Sequence, residues 1–121
     1  MRRLPIVVLS LALSGCGRTP PTAIHGKPVS HWVESLHDRD VRVRRNAVRV
    51  LGNVGPVDPA VLPALTQAVS DRDPAVRGEA LEALLKIGPD ARDAVPAIET
   101  RRQDRDPRVR ALAVTALERI R

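Results

Sequence analysis

An all-α fold, a short right-handed α-solenoid of about three antiparallel helix pairs, is predicted by three observations. First, one motif recurs at a period of 33 residues: Asp38-Arg39-Asp40-Val41-Arg42-Val43-Arg44, then Asp71-Arg72-Asp73-Pro74-Ala75-Val76-Arg77, then Asp104-Arg105-Asp106-Pro107-Arg108-Val109-Arg110. Self-similarity at such a period marks stacked supersecondary units, each covering a face that its neighbour cannot bury alone. Second, apolar residues after each motif recur at helical offsets. Third, Trp32 is the only aromatic residue in 121, so the core is left to Ala, Val, Leu and Ile, which suits closely packed helices. That length holds one domain.

Residues 1–15 form a unit of their own. Met1-Arg2-Arg3 is a charged start, Leu4 to Leu13 is almost wholly apolar, and the small residues Ser14, Gly15 and Cys16 follow. This is the layout of a secretory signal, too short to cross a bilayer comfortably. Leu13-Ser14-Gly15-Cys16 resembles the bacterial lipoprotein signal at every position. The resemblance implies cleavage before Cys16, a diacylglycerol thioether on its sulfur and acylation of the new amino terminus. It places the protein in the bacterial cell envelope, and Gly17 after the cysteine favours the outer membrane, at its periplasmic face or the cell surface. A lone cysteine excludes an internal disulfide and a cysteine-based zinc cluster. Residues 16–28 then read as a lipidated cysteine and a flexible tether, rich in proline and without helical periodicity.

The repeat domain spans residues 29–121, with repeats at about 29–58, 59–91 and 92–121. Each opens with a short helix whose apolar columns are Val29/Leu62/Val95 and Trp32/Leu65/Ile98. Pro63 and Pro96 share a column in it, where a first-turn proline is tolerated. The Asp-Arg-Asp turn follows, with Asp40, Asp73 and Asp106 placed to cap the second helix and Pro74 and Pro107 at its first position. Down the second helix run Val43/Val76/Val109, Ala47/Ala80/Ala113, Val48/Leu81/Val114, Leu51/Leu84/Leu117 and Val54/Ile87/Ile120, one apolar face. Gly55-Pro56 and Gly88-Pro89 end the first two of these helices.

These columns resemble the HEAT-repeat family, in the short form grouped with phycobilisome-lyase-like HEAT repeats. The resemblance implies a hydrogen-bonded ladder between repeats, formed by the first Asp of each turn and the Arg six residues later: Asp38, Asp71 and Asp104 with Arg44, Arg77 and Arg110. It also implies that the second helices line the inner side of the stack. Arg102 departs from the pattern, standing in the column of Leu36 and Val69. Its long stem can still cover apolar surface, so the third pair is expected to be a polar end cap.

No catalytic constellation emerges. The carboxylate pairs appear three times in a capping position, whereas an active site needs one asymmetric arrangement. His25, His31 and His37 have the wrong spacing for a helical metal pair, and neither a cofactor nor a metal is expected. Excluding Arg2 and Arg3, 18 Lys and Arg face 14 Asp and Glu, and the second repeat is acidic, so no continuous positive stripe is offered to nucleic acid. The mixed charge of the second helices favours a protein partner over a polyanion. The expected contact surface comprises Arg45, Asn46, Arg49 and Asn53, then Glu79, Glu82 and Lys86, then Leu112, Thr115 and Arg119. The sequence thus reads as a non-enzymatic interaction scaffold or adaptor, joined to the membrane by lipid on Cys16. A bilin-lyase-like enzyme or accessory is the alternative implied by kinship alone, with a DNA-binding repeat protein behind it.

Overall fold

The computed structural model describes residues 23–121, so Cys16 and the rest of the signal motif lie outside the described residues. Two short strands, β1 (Ala23–Ile24) and β2 (Lys27–Pro28), precede three helix pairs: α1 (Val29–Ser35) with α2 (Val41–Val54), α3 (Val61–Ala68) with α4 (Pro74–Ile87), and α5 (Val95–Thr100) with α6 (Pro107–Ile120). Each second helix is 14 residues long and the first helices have 7, 8 and 6 residues. The second helices make the most extensive contacts between repeats, α2 on α4 and α4 on α6. The architecture is the α-solenoid that the period predicts.

The turns fold as their residues dictate. Asp40 accepts the Arg42 amide, Asp73 that of Ala75, and Asp106 those of Arg108 and Val109, satisfying helix donors that lack an intrahelical acceptor. The first aspartate of each turn accepts the amide of the second: Asp38 from Asp40 at 2.8 Å, Asp71 from Asp73 at 2.9 Å, Asp104 from Asp106 at 2.9 Å. At the other end, Gly55 and Gly88 have φ of 71° and 76° with ψ of −159° and −143°, a region open essentially to glycine alone. Short 3₁₀ segments, Gly55–Val57 and Gly88–Ala94, then lead into the next pair.

Three details differ from the sequence reading. Residues 23–28, placed in the tether, form a hairpin instead. Its two-residue turn is His25-Gly26, with φ of 53° and 76°, the double positive φ of a tight hairpin turn. The hairpin is held by Trp32, which is buried at the start of the stack and donates its indole N–H to the Ile24 carbonyl at 3.3 Å. The His25 and His31 rings meet the indole edge-on, with centroids 6.2 Å and 5.1 Å away. Among the described residues the local chain supplies the cover of this large ring.

Second, the Trp32/Leu65/Ile98 column is buried throughout, but the buried face of the first helix reaches one residue further back in the later repeats: Val61 and Ala94 are fully buried, while Leu62 and Val95 are half-buried. Third, the apolar stripe is incomplete at both ends. Val43 is 37% exposed although Val76 and Val109 are buried, and Val114 is 42% exposed although Val48 and Leu81 are buried. The Val43 column faces the preceding repeat and the Val114 column the following one. Arg102, also on the trailing side, is exposed and pairs with Glu99 at 3.4 Å.

Candidate functional site

Two polar systems cross the repeat boundaries. The first is at the turns. Arg44 donates through Nε and Nη2 to the two carboxylate oxygens of Asp71, at 2.9 Å and 3.2 Å. Its Nη1 grips its own turn at the carbonyls of Asp38 and Arg39, at 2.8 Å and 3.1 Å. One guanidinium therefore ties its own turn together and docks the next, using the forked geometry that lysine lacks. Arg44 is buried, and breaking such a pair strands a charge.

The next rung is built differently. Arg77 Nη1 again holds its own turn, at the Asp71 and Arg72 carbonyls, but only Nη2 reaches Asp104, at 2.8 Å. The second oxygen of Asp104 is taken by Arg101 Nη1 at 3.0 Å. Arg77 Nε is left buried without a partner. Burial raises the Asp104 pKa, but the Arg77 hydrogen bond, the Asp106 amide and the charges of Arg77 and Arg101 outweigh it and hold the carboxyl below its ordinary value. Arg110 grips the carbonyls of Asp104 and Arg105 at 2.8 Å and 3.1 Å, and Asp38 is exposed, so these two residues are the ends of the ladder.

The second system is on the second helices. Arg45 donates to Glu79 Oε1 through Nε at 2.9 Å and Nη2 at 2.6 Å. Lys86 reaches Asn53 Oδ1 at 2.9 Å, Arg49 reaches Asn46 Oδ1 at 2.7 Å, and Arg108 pairs with Glu82. Seven of the expected surface residues, Arg45, Asn46, Arg49, Asn53, Glu79, Glu82 and Lys86, thus come together on α2 and α4. Leu112 is half-buried over Gly78, where an added Cβ would lie 3.5 Å from its Cδ1. Thr115 turns back to the Ala111 carbonyl at 3.1 Å, and Arg119 stands exposed in the last turn of α6. Arg108 belongs with the surface but was not in the expected set. It shares a column with Arg42 and Ala75, so no periodic signal marked it.

Between α2 and α4 this face opens into a groove of about 180 Å³, with Arg49, Asn53, Glu79, Glu82 and Lys86 around a floor of Gly52 and Ala83. The floor is tight: a Cβ added at Gly52 would lie 2.9 Å from that of Ala83. One oxygen of Glu79 is buried there without a hydrogen-bond donor. Among the described residues, no group of three or more His, Cys, Asp or Glu is placed to hold a metal ion. No helix among them is long and apolar enough to cross a membrane.

A stack of helix pairs, stapled at each turn by an Asp–Arg rung and carrying its variable residues on the second helices, defines the class: an α-solenoid repeat protein. The family model for HEAT repeats matches residues 29–118. The chain belongs to the HEAT-repeat family. Among solved structures it is similar to the crystal structure of an engineered protein from a structural genomics consortium, with a TM-score of 0.61 and 27% identity over 74% of this chain. The matched part is 43% of that protein, so this chain spans less than half of its length. No curated protein sequence is detectably similar to this one.

Proposed function

We propose that the protein is a membrane-anchored, non-enzymatic scaffold that binds a protein partner along the second-helix face. Family membership supports the broader half of this reading, since HEAT repeats generally mediate protein–protein interaction. The observation that carries it is the asymmetry of the face. At every turn the same arginine column grips its own turn carbonyls, whereas the second helices pair a cation of one repeat with a carboxylate or amide of an adjoining repeat at positions that change along the stack. The groove between α2 and α4, lined by Arg49, Asn53, Glu82 and Lys86, offers a partner both signs of charge beside a floor of small residues. A rigid stack with charges already oriented offers specificity at low ordering cost.

Anchoring rests on the sequence motif Leu13-Ser14-Gly15-Cys16. With the hairpin beginning at Ala23, the chain from Cys16 reaches at most about 25 Å, so a lipid there holds the repeats close to the bilayer. Two measurements test the halves separately. A photo-crosslinking residue at Glu82 should trap one partner in the protein's own cell, and Lys86→Glu should abolish the capture, while the same probe at Val57, which is 80% exposed, should not trap it. Equal capture from both positions removes the assignment of the face. Cys16→Ser should end acyl labelling and membrane fractionation, and unchanged labelling removes the anchor.

A further inference from the structure

The grooves between successive turns share most of their repeat columns and yet differ. The first, of about 360 Å³, has Arg44, Gln67, Ala68, Ser70, Asp71 and Arg72 on its walls. The second, of about 530 Å³, has Arg72, Arg77, Arg101, Gln103, Asp104 and Arg105. Where the first has Ala68, the chain 33 residues on has Arg101. In the first groove Asp71 gives both oxygens to Arg44. In the second, Arg101 occupies the oxygen that by equivalence belongs to Arg77 Nε, and that nitrogen is buried without a partner.

The second groove therefore holds more guanidinium than its carboxylates use. Asp104 is shared by two arginines, and Asp106, also on the wall, accepts its two capped amides on Oδ1, so four arginines face two carboxylates. The guanidinium groups of Arg72 and Arg105 are exposed, on adjacent turns, and have no side-chain partner among the described residues. Guanidinium forks suit an oxyanion that can accept from several directions. A carboxylate has two oxygens in one plane, and one fork satisfies it. A phosphate group presents at least three acceptors outside any single plane.

We propose that this groove binds a phosphate group, held by Arg72, Arg101 and Arg105, and that as Arg101 leaves Asp104 the Arg77 Nε takes the vacated oxygen. Binding then converts a one-pronged rung into the two-pronged rung that Arg44 and Asp71 already form. An orphaned buried donor gains its acceptor in the same step, so the ligand couples to the stacking of the second repeat on the third. The site does not depend on the scaffold reading, because it lies at the turns and not on the second-helix groove.

The test uses the full chain in a neutral maltoside detergent and phosphate-free buffer. Equilibrium dialysis against labelled inorganic phosphate measures affinity, and the Nε–H resonance of Arg77 reports the rung. Wild type should bind saturably with a downfield move of that resonance. Arg105→Ala removes no contact of the folded chain and should weaken binding about tenfold, the loss of one charge-assisted hydrogen bond. Arg101→Ala should also weaken it and should show the shifted Arg77 resonance before any phosphate is added. Arg39→Ala, in the same column as Arg72 and Arg105, should change nothing. Tighter binding of glycerophosphoglycerol than of inorganic phosphate assigns a lipid headgroup as the source, and the reverse order assigns free phosphate. Failure of both ligands to bind, or wild-type affinity in Arg101→Ala, overturns the proposal.

Discussion

The second helices of the first two repeats pack closely at Gly52 and Ala83, and this contact yields a double-mutant test of the stacking. A Cβ at position 52 would meet Ala83 Cβ at 2.9 Å, and both residues are buried. Gly52→Ala gains about 1 kcal/mol of helix propensity. It also forces two helices apart, an overpacking cost of about 2 kcal/mol. The net expectation is a loss of about 1 kcal/mol. Ala83→Gly alone should cost about 2 kcal/mol, half from propensity and half from a buried methyl group. In the double variant the propensities cancel and the methyl group moves to the facing helix. Its stability should return to within about 0.5 kcal/mol of wild type, giving a coupling of about 3 kcal/mol. Urea unfolding of the four proteins, with unchanged slopes, measures this. If Gly52→Ala stabilises by about 1 kcal/mol, or the two changes simply add, the helices do not meet there and the reasoning fails.

Two further expectations follow from the ladder. Arg44→Ala should cost about 3 kcal/mol, because it strands Asp71 and frees two turn carbonyls, whereas Arg110→Ala, at the exposed end, should cost about 1 kcal/mol in the same urea titration. On acidification, the Asp104 carboxyl, held below its ordinary 3.8, contributes stability that is fully present above the unfolded-state pKa and lost as pH falls through the folded one. The midpoint of thermal unfolding should therefore drop below about pH 4, and Asp104→Asn should flatten that limb while lowering the plateau.

The repeat made most of the fold legible. A column of aspartates at Asp40, Asp73 and Asp106 fixes three helix starts, Gly55 and Gly88 fix two stops, and five apolar columns fix the stripe between them. The identity of the ladder residues came from resemblance, and the direction of the rungs came from geometry: each arginine reaches forward to the next repeat's aspartate, from Arg44 to Asp71 and from Arg77 to Asp104. What stayed hidden has one physical origin. Periodicity describes a residue surrounded by copies of itself, and it fails where a neighbour is missing or different. Val43 and Val114 belong to buried columns and are exposed because no repeat among the described residues lies against them. The hairpin over Trp32 was unreadable because its partner is a single indole and not a repeat.

The same reasoning orders the polar residues by what they can do. Several columns keep both residue and contact: Arg44 and Arg77 both hold turn carbonyls, and Asp40, Asp73 and Asp106 all cap. The buried groups left without a partner arise beside residues that break a column. Arg101 in place of Ala68 displaces one prong of a rung, and Glu79 in place of Asn46 accepts Arg45 while leaving one oxygen without a donor. These two substitutions produce both buried polar atoms that lack a partner among the described residues, Arg77 Nε and Glu79 Oε2. Each lies beside a groove, one between turns and one between second helices. In a solenoid this small, with so few uncompensated buried groups among the described residues, an orphan donor and an orphan acceptor mark the places where the stack is not closed on itself.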